Sequence, residues 1–302
     1  MSDRGAMAAF DVHQHLWPEA FLSALARRRR PPCLRGTVLE LGCQGSFDVD
    51  LAAHDLQARL RDLDRDEIDV AIVSLPPTLE IELLPADEAE PLLGAYHDGI
   101  LDIARQSGGR IRAFAAGRAL DGFAGVTVAA GALADLDSLS SLLTELAGRR
   151  GVLFVHPGPS ASPPGGPNWW GAVVGYTAQM QAGYAAWLSG GVERWPDLSV
   201  VFAILAGGGP FQLERLRSRG VDPRLALRPN LYFETASYGP RAIELCLDTV
   251  GVDQLLYGSD APVIDSRPTL QAVRGFGQAV ADALCRGNPA TLFADAPGRQ
   301  LR

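Results

Sequence analysis

Eight short apolar runs, several of them rich in β-branched residues, punctuate the chain: AAFDVH, DVAIVSL, IRAFAA, GVTVAA, VLFVH, SVVFAIL, LYFETA and LLYGSD. Bounded by turn residues, they read as strands. Most are separated by segments whose apolar residues recur at helical spacing, among them DLQARLRDLDRDE, AEPLLGAYHDGILDIARQ, LDSLSSLLTELAGR and GPRAIELCLDTVG. Eight strands alternating with helices in 302 residues predict an α/β fold, a parallel (β/α)8 TIM-like barrel with its active site at the carboxyl ends of the strands. No internal repeat or linker divides the chain, so a single domain over residues 1–302 is expected.

Two segments exceed ordinary connections. Residues 31–52, after the first run, suggest a small β insertion. Residues 157–198, after the fifth, combine a Pro/Gly-rich loop with a helical pattern near YTAQMQAGYAAWL. Long segments of this kind in a compact domain serve as lids or binding loops, and both are expected over the barrel mouth.

The first run ends in FDVHQHLWP. In a strand, side chains at i and i+2 leave the same face, so His13 and His15 can converge on one point while Gln14 cannot. Zinc and related ions need three or more ligands. His156 ends the fifth run and Asp260 the eighth, which puts all four side chains on one rim of a barrel. A lone histidine before proline, or a lone Ser-Asp pair, would read as structural. Their coincidence at strand ends points instead to a site for one divalent ion, zinc foremost, with manganese or iron as alternatives.

Composition narrows the chemistry. The formal net charge of -8 argues against nucleic-acid or anionic-membrane partners. All 27 basic residues are arginine. Without lysine there can be no Schiff base, no phosphate-loop lysine and no carbamylated lysine bridging two metals. The run Arg27–Arg30 follows a helical pattern, PEAFLSALA, and reads as a solvated helix end rather than an anion site. Four cysteines without a CxxC pair, and an opening MSDRGAMAAF without a signal-peptide core, lead to the expectation of a reduced, cytoplasmic protein. No apolar stretch is long enough for a membrane helix.

The motifs DVHQHLWP, VLFVHPG, PNLYFETASYGPRAIELCLDTVGVDQLLYGSDAPV and GNPATLF together resemble the amidohydrolase superfamily, specifically its amidohydrolase-2 branch of hydrolases and decarboxylases such as aminocarboxymuconate-semialdehyde decarboxylase. By that resemblance His13, His15, His156 and Asp260 match the metal ligands. The fourth run carries no lysine or glutamate to bridge a second ion, so the site is expected to be mononuclear. One family position departs: where members carry a histidine before the glycines after the sixth strand, this chain reads FAILAGGGPF, with Ala206 at the match. Asp260 is then left as the general base. The first reading is a hydrolase acting on a small lactone, ester or amide through metal-activated water. Non-oxidative decarboxylation of a small aromatic or muconate-like acid, and a degenerate site that binds without turnover, are the alternatives. The resemblance also allows a homo-oligomer.

Lesser candidates are Glu234, as a partner of a ligand histidine or a solvent-facing strand end; Arg118, as a clamp for a substrate carboxylate; and Trp17, Trp169 and Trp170, as an aromatic wall or simple lid packing. His54 and His97 lie in helical patterns remote from the end of the sixth strand, so neither replaces the missing histidine, and both are expected to be surface or helix-packing residues.

Overall fold

A computed structural model describes residues 7–294. The ends of the expected 1–302 domain, and the first six residues of the opening segment, lie outside that range. Strand β1 (Phe10–Gln14) is followed by a small antiparallel sheet of β2 (Cys33–Arg35), β3 (Val38–Leu41) and β4 (Gly45–Asp48). The remaining strands are β5 (Val70–Val73), β6 (Ile111–Ala116), β7 (Gly125–Ala129), β8 (Val152–His156), β9 (Ser199–Phe202), β10 (Leu231–Glu234) and β11 (Leu255–Leu256).

These seven and β1 form one parallel sheet in the order β1-β5-β6-β7-β8-β9-β10-β11. Its two ends meet. Val12 N donates to Tyr257 O at 3.0 Å and Asp260 N to His13 O at 2.8 Å, so the segment from β11 onward lies against β1 and closes the barrel. All eight expected strands are present, and the helices between them follow the predicted periodicity.

Local chemistry sets the helix ends. The helix Leu56–Asp66 starts where the Asp55 carboxylate accepts the Ala58 N–H, and it ends at Glu67 in the left-handed conformation. Its buried face carries Arg59, Leu63 and Asp66, at helical spacing. The barrel interior is filled by rings. Phe114 and Phe154 stack at 5.2 Å, Phe293 lies 6.0 Å from Phe10, and Phe154 meets the edge of His13 at 5.0 Å. This buried apolar column forms a floor beneath the strand ends.

The insertion at 31–52 forms the β2–β3–β4 sheet, as expected. The later one contains the helix Tyr176–Ala186, whose Gly183 packs so closely that a Cβ there would lie 2.7 Å from Ala130 O. The two insertions touch: the Tyr176 hydroxyl donates to Gln44 Oε1 at 2.7 Å. The four cysteines are free, with only Cys43 exposed. No helix among the described residues is long and apolar enough to cross a membrane.

Candidate metal centre

His13 sits near the end of β1, His15 just beyond it, His156 at the end of β8, and Asp260 in the turn after β11. One ligand atom from each lies within 4.8 Å of all the others. His13 Nε2 is 3.3 Å from His15 Nε2, and Asp260 Oδ1 is 2.9 Å from His15 Nε2 and 3.4 Å from His13 Nε2. The three imidazoles are buried. Asp260 adopts a positive φ of 64°, which turns the chain sharply, and its N–H is tied to His13 O.

The partners of the other ring nitrogens decide the tautomers. His13 Nδ1–H donates to Glu234 Oε1, His15 Nδ1–H to Ser74 O and His156 Nδ1–H to Pro157 O, each at 2.9 Å. Every Nε2 is thereby left with a lone pair, and all three lone pairs share one small volume with a carboxylate oxygen. With all three rings neutral, acceptor would face acceptor, so without an ion the cluster holds a proton on His13, in the place where a bound cation would serve instead. Three nitrogens and an oxygen suit a zinc-like ion, so the residues fit the group.

Electrostatics agree. Burial works to raise the Asp260 pKa, but His13, His15 and His156 outweigh it and hold the carboxyl below its ordinary range. Burial, reinforced by His13 and His15, pushes His156 well below 6.5. Burial opposes charge on His13 too, yet Glu234 and Asp260 overcome it and raise that imidazole to about 9. Carboxylates that draw a proton onto His13 will attract any cation placed beside it.

Glu234 is not a solvent-facing strand end. It is fully buried, and besides the His13 N–H it accepts Ile204 N at 2.5 Å and Ala236 N at 2.7 Å. Gly258 makes room for it: a Cβ there would lie 2.1 Å from Glu234 Oε2 and 2.8 Å from His13 Cβ. Ile204 begins a left-handed run through Leu205, Ala206, Gly207 and Gly208, at φ values of 45°, 49°, 51°, 61° and 80°. Ala206 is fully buried in that run.

A cavity of about 300 Å³ opens beside His15. The first insertion supplies much of its wall, including Leu39, Phe47 and Asp48, and the second contributes Tyr176. Trp17 lines it, stacked on His54 at 4.4 Å and 10°. His54 therefore belongs to the cavity wall and is not a surface residue. Its Nδ1 accepts the Trp17 backbone N–H at 3.1 Å, and burial, aided by Arg59 and His15, lowers its pKa to about 3. The ring is neutral, with its proton on Nε2. A sequence signal existed only in its position just after the rim insertion. His97 is a buried packing residue, as expected, accepting the Ala116 N–H at Nε2.

Three candidates are not brought to the cavity. Arg118 holds both oxygens of Glu90 at 2.8 Å on the surface, so its charge is already engaged. Trp169 and Trp170 stack on each other at 6.0 Å and remain 55% and 37% exposed. Their loop turns the indoles outward.

The chain matches the Amidohydrolase family (Amidohydro_2) over residues 10–294. Among solved structures it is similar to Metarhizium anisopliae IDCase, with a TM-score of 0.80 and 20% identity over 98% of this chain and 99% of that one. It is also similar to the 5-carboxyvanillate decarboxylase LigW of Sphingomonas paucimobilis, with a TM-score of 0.74 and 15% identity over 95% and 99% of the two chains. A variant of the Novosphingobium aromaticivorans 5-carboxyvanillate decarboxylase, solved with manganese and a nitrobenzoic acid, matches with a TM-score of 0.72 and 15% identity over 97% and 99%.

Proposed function

Because the chain belongs to the amidohydrolase family, we propose that it holds one divalent ion between His13, His15, His156 and Asp260 and hydrolyses a small neutral lactone, ester or amide. A bound ion there supplies a Lewis acid that lowers the pKa of water or polarises a carbonyl oxygen. We propose zinc ahead of manganese or iron, because three of the four donors are imidazole nitrogens.

The residues have distinct tasks. The Asp260 carboxylate, kept ionised by the imidazoles around it, accepts the proton of the attacking water. Glu234 fixes the His13 ring through Nδ1. His54 and Trp17 offer a flat wall, with the His54 Nε2–H as donor, against which a planar substrate rests.

One observation carries the preference for a neutral substrate: among the described residues no arginine lines the cavity, the chain has no lysine, and Asp48 and Asp50 stand in the wall. An anionic acid would find no protein cation there and would meet like charge. A second reading, decarboxylation of a small aromatic acid, is favoured by the likeness to solved decarboxylases and by the ring-lined wall.

The deciding experiment uses metal-reconstituted protein on aryl esters, lactones and anilides, with CO2 release from carboxylated phenols followed in parallel. Turnover of the neutral panel alone supports hydrolysis, and CO2 release alone replaces it with the second reading. Silence on both at full metal content leaves a site that binds without turnover, the outcome that Ala206 in place of an imidazole would favour.

A further inference from the structure

Three of the four proposed ligands, His13, His15 and Asp260, come from the seam where the barrel closes. Regular sheet pairing is short at that seam, which is closed by individual backbone bonds: Val12 N to Tyr257 O at 3.0 Å, Asp260 N to His13 O at 2.8 Å and His15 N to Ala261 O at 2.7 Å. β11 contains only Leu255 and Leu256, and beyond it the parallel pairing shrinks to a single bridge between Gln14 and Ala261. A buried side chain adds a second set of contacts to the same segment.

Arg59 reaches this place from the helix Leu56–Asp66. It is 2% exposed, and its four hydrogen bonds all go to uncharged oxygens. Nη1 donates to Gln14 Oε1 at 2.6 Å and to Ala261 O at 3.4 Å; Nη2 donates to His15 O at 3.2 Å and to Ala53 O at 3.0 Å. Gln14 passes the contact on, its Nε2 donating to Asp11 Oδ2 at 2.7 Å. Asp11 Oδ1 in turn accepts the backbone N–H groups of His13 at 3.2 Å and Ser259 at 3.0 Å. The relay therefore grips the peptide groups at or beside all three seam ligands, together with the turn that carries His54. Burying a guanidinium without a carboxylate in contact is costly, and a neutral apolar residue would fill the space without that cost.

We propose that Arg59, acting through Gln14 and Asp11, is a positioning residue of the metal centre that holds the ends of β1 and the segment after β11 in ligating register. The forked guanidinium suits the task because it can donate to several oxygens at fixed angles, which an ammonium cannot. This rests on the metal reading of the site, and the test separates the two.

Full-length wild type and the variants R59M, R59K and Q14M are stripped with chelator, and Zn2+ is titrated back against a competing chromophoric chelator, with Tm measured in parallel. Ile100→Ala, a cavity-forming change in the outer helix Ala86–Gln106, serves as a control for lost stability alone. The expected result is zinc affinity weakened about 10- to 100-fold in R59M, the range for loss of a group that orients ligands. R59K should fall between R59M and wild type. Q14M, which cuts the relay but spares the carbonyl contacts, should weaken binding measurably but less than R59M. The control should lose Tm and keep its affinity.

Wild-type affinity in both Arg59 variants overturns the proposal, as does tighter binding, the result expected if Arg59 were only a cation repelling the ion. Should R59M fail to fold, R59K and Q14M decide by the same criterion. A wild type that takes up no zinc overturns the metal reading and this proposal with it.

Discussion

Replacing Glu234 by glutamine changes one atom in a fully buried carboxylate that accepts three N–H groups, from His13, Ile204 and Ala236. An amide has only one acceptor end. If its oxygen faces His13 and Ile204, its NH2 confronts the Ala236 N–H. If it turns round, the NH2 faces His13 Nδ1, drives the ring proton to Nε2 and removes a metal lone pair.

The cost can be estimated for the milder orientation. A buried donor left unpaired costs about 1–3 kcal/mol, and each of the two surviving bonds loses roughly 1 kcal/mol with the charge. Relief of the buried charge offsets part of this, so the net loss is about 2–4 kcal/mol. In a domain of this size roughly 2 °C of Tm accompanies each kcal/mol, which predicts a fall of roughly 4–8 °C. Zinc affinity should drop about 10- to 100-fold as His13 loses its anchor. Thermal melts and zinc titration of stripped protein measure both. A Glu234→Gln protein that melts within about 1 °C of wild type and holds zinc as tightly would refute the assignment of Glu234 as the group that orients His13.

Two further outcomes are expected. Asp260→Asn keeps an oxygen near the ion but cannot take a proton, so turnover should fall by a factor on the order of 10² or more while much of the zinc stays bound; full activity in this variant removes Asp260 from proton transfer. His97, away from the site, has its pKa lowered from 6.5 to about 4, by burial first and then by Arg118. Between those values the unfolded chain binds a proton that the folded one excludes, so this contribution is complete above about pH 6.5 and is lost as pH falls toward 4. The shift corresponds to roughly 3 kcal/mol. His97→Phe should therefore flatten the fall in stability between pH 6.5 and 4 in denaturant titrations, and an unchanged slope would contradict it.

The barrel and its four rim residues were legible in the sequence because their signals are local. Strand runs such as DVAIVSL announce themselves by composition, and the spacing of His13 and His15 is a property of any extended strand. Where a strand ends is also where a barrel places its chemistry, so His156 and Asp260 could be located from their runs alone.

The remaining assignments depended on contacts between distant segments. Whether Glu234 met solvent or His13 turned on the absence of a Cβ at Gly258. Arg118 was lost to the cavity because Glu90, on the preceding helix, engages it. His54 reads as helical in the sequence; that it stacks on Trp17, accepts its backbone N–H and lines the cavity is a matter of tertiary contact. Arg59 reads as one more arginine on an amphipathic helix; its role arises where β1 meets the segment after β11, a junction that no local pattern encodes, since closure of the barrel brings together residues about two hundred positions apart.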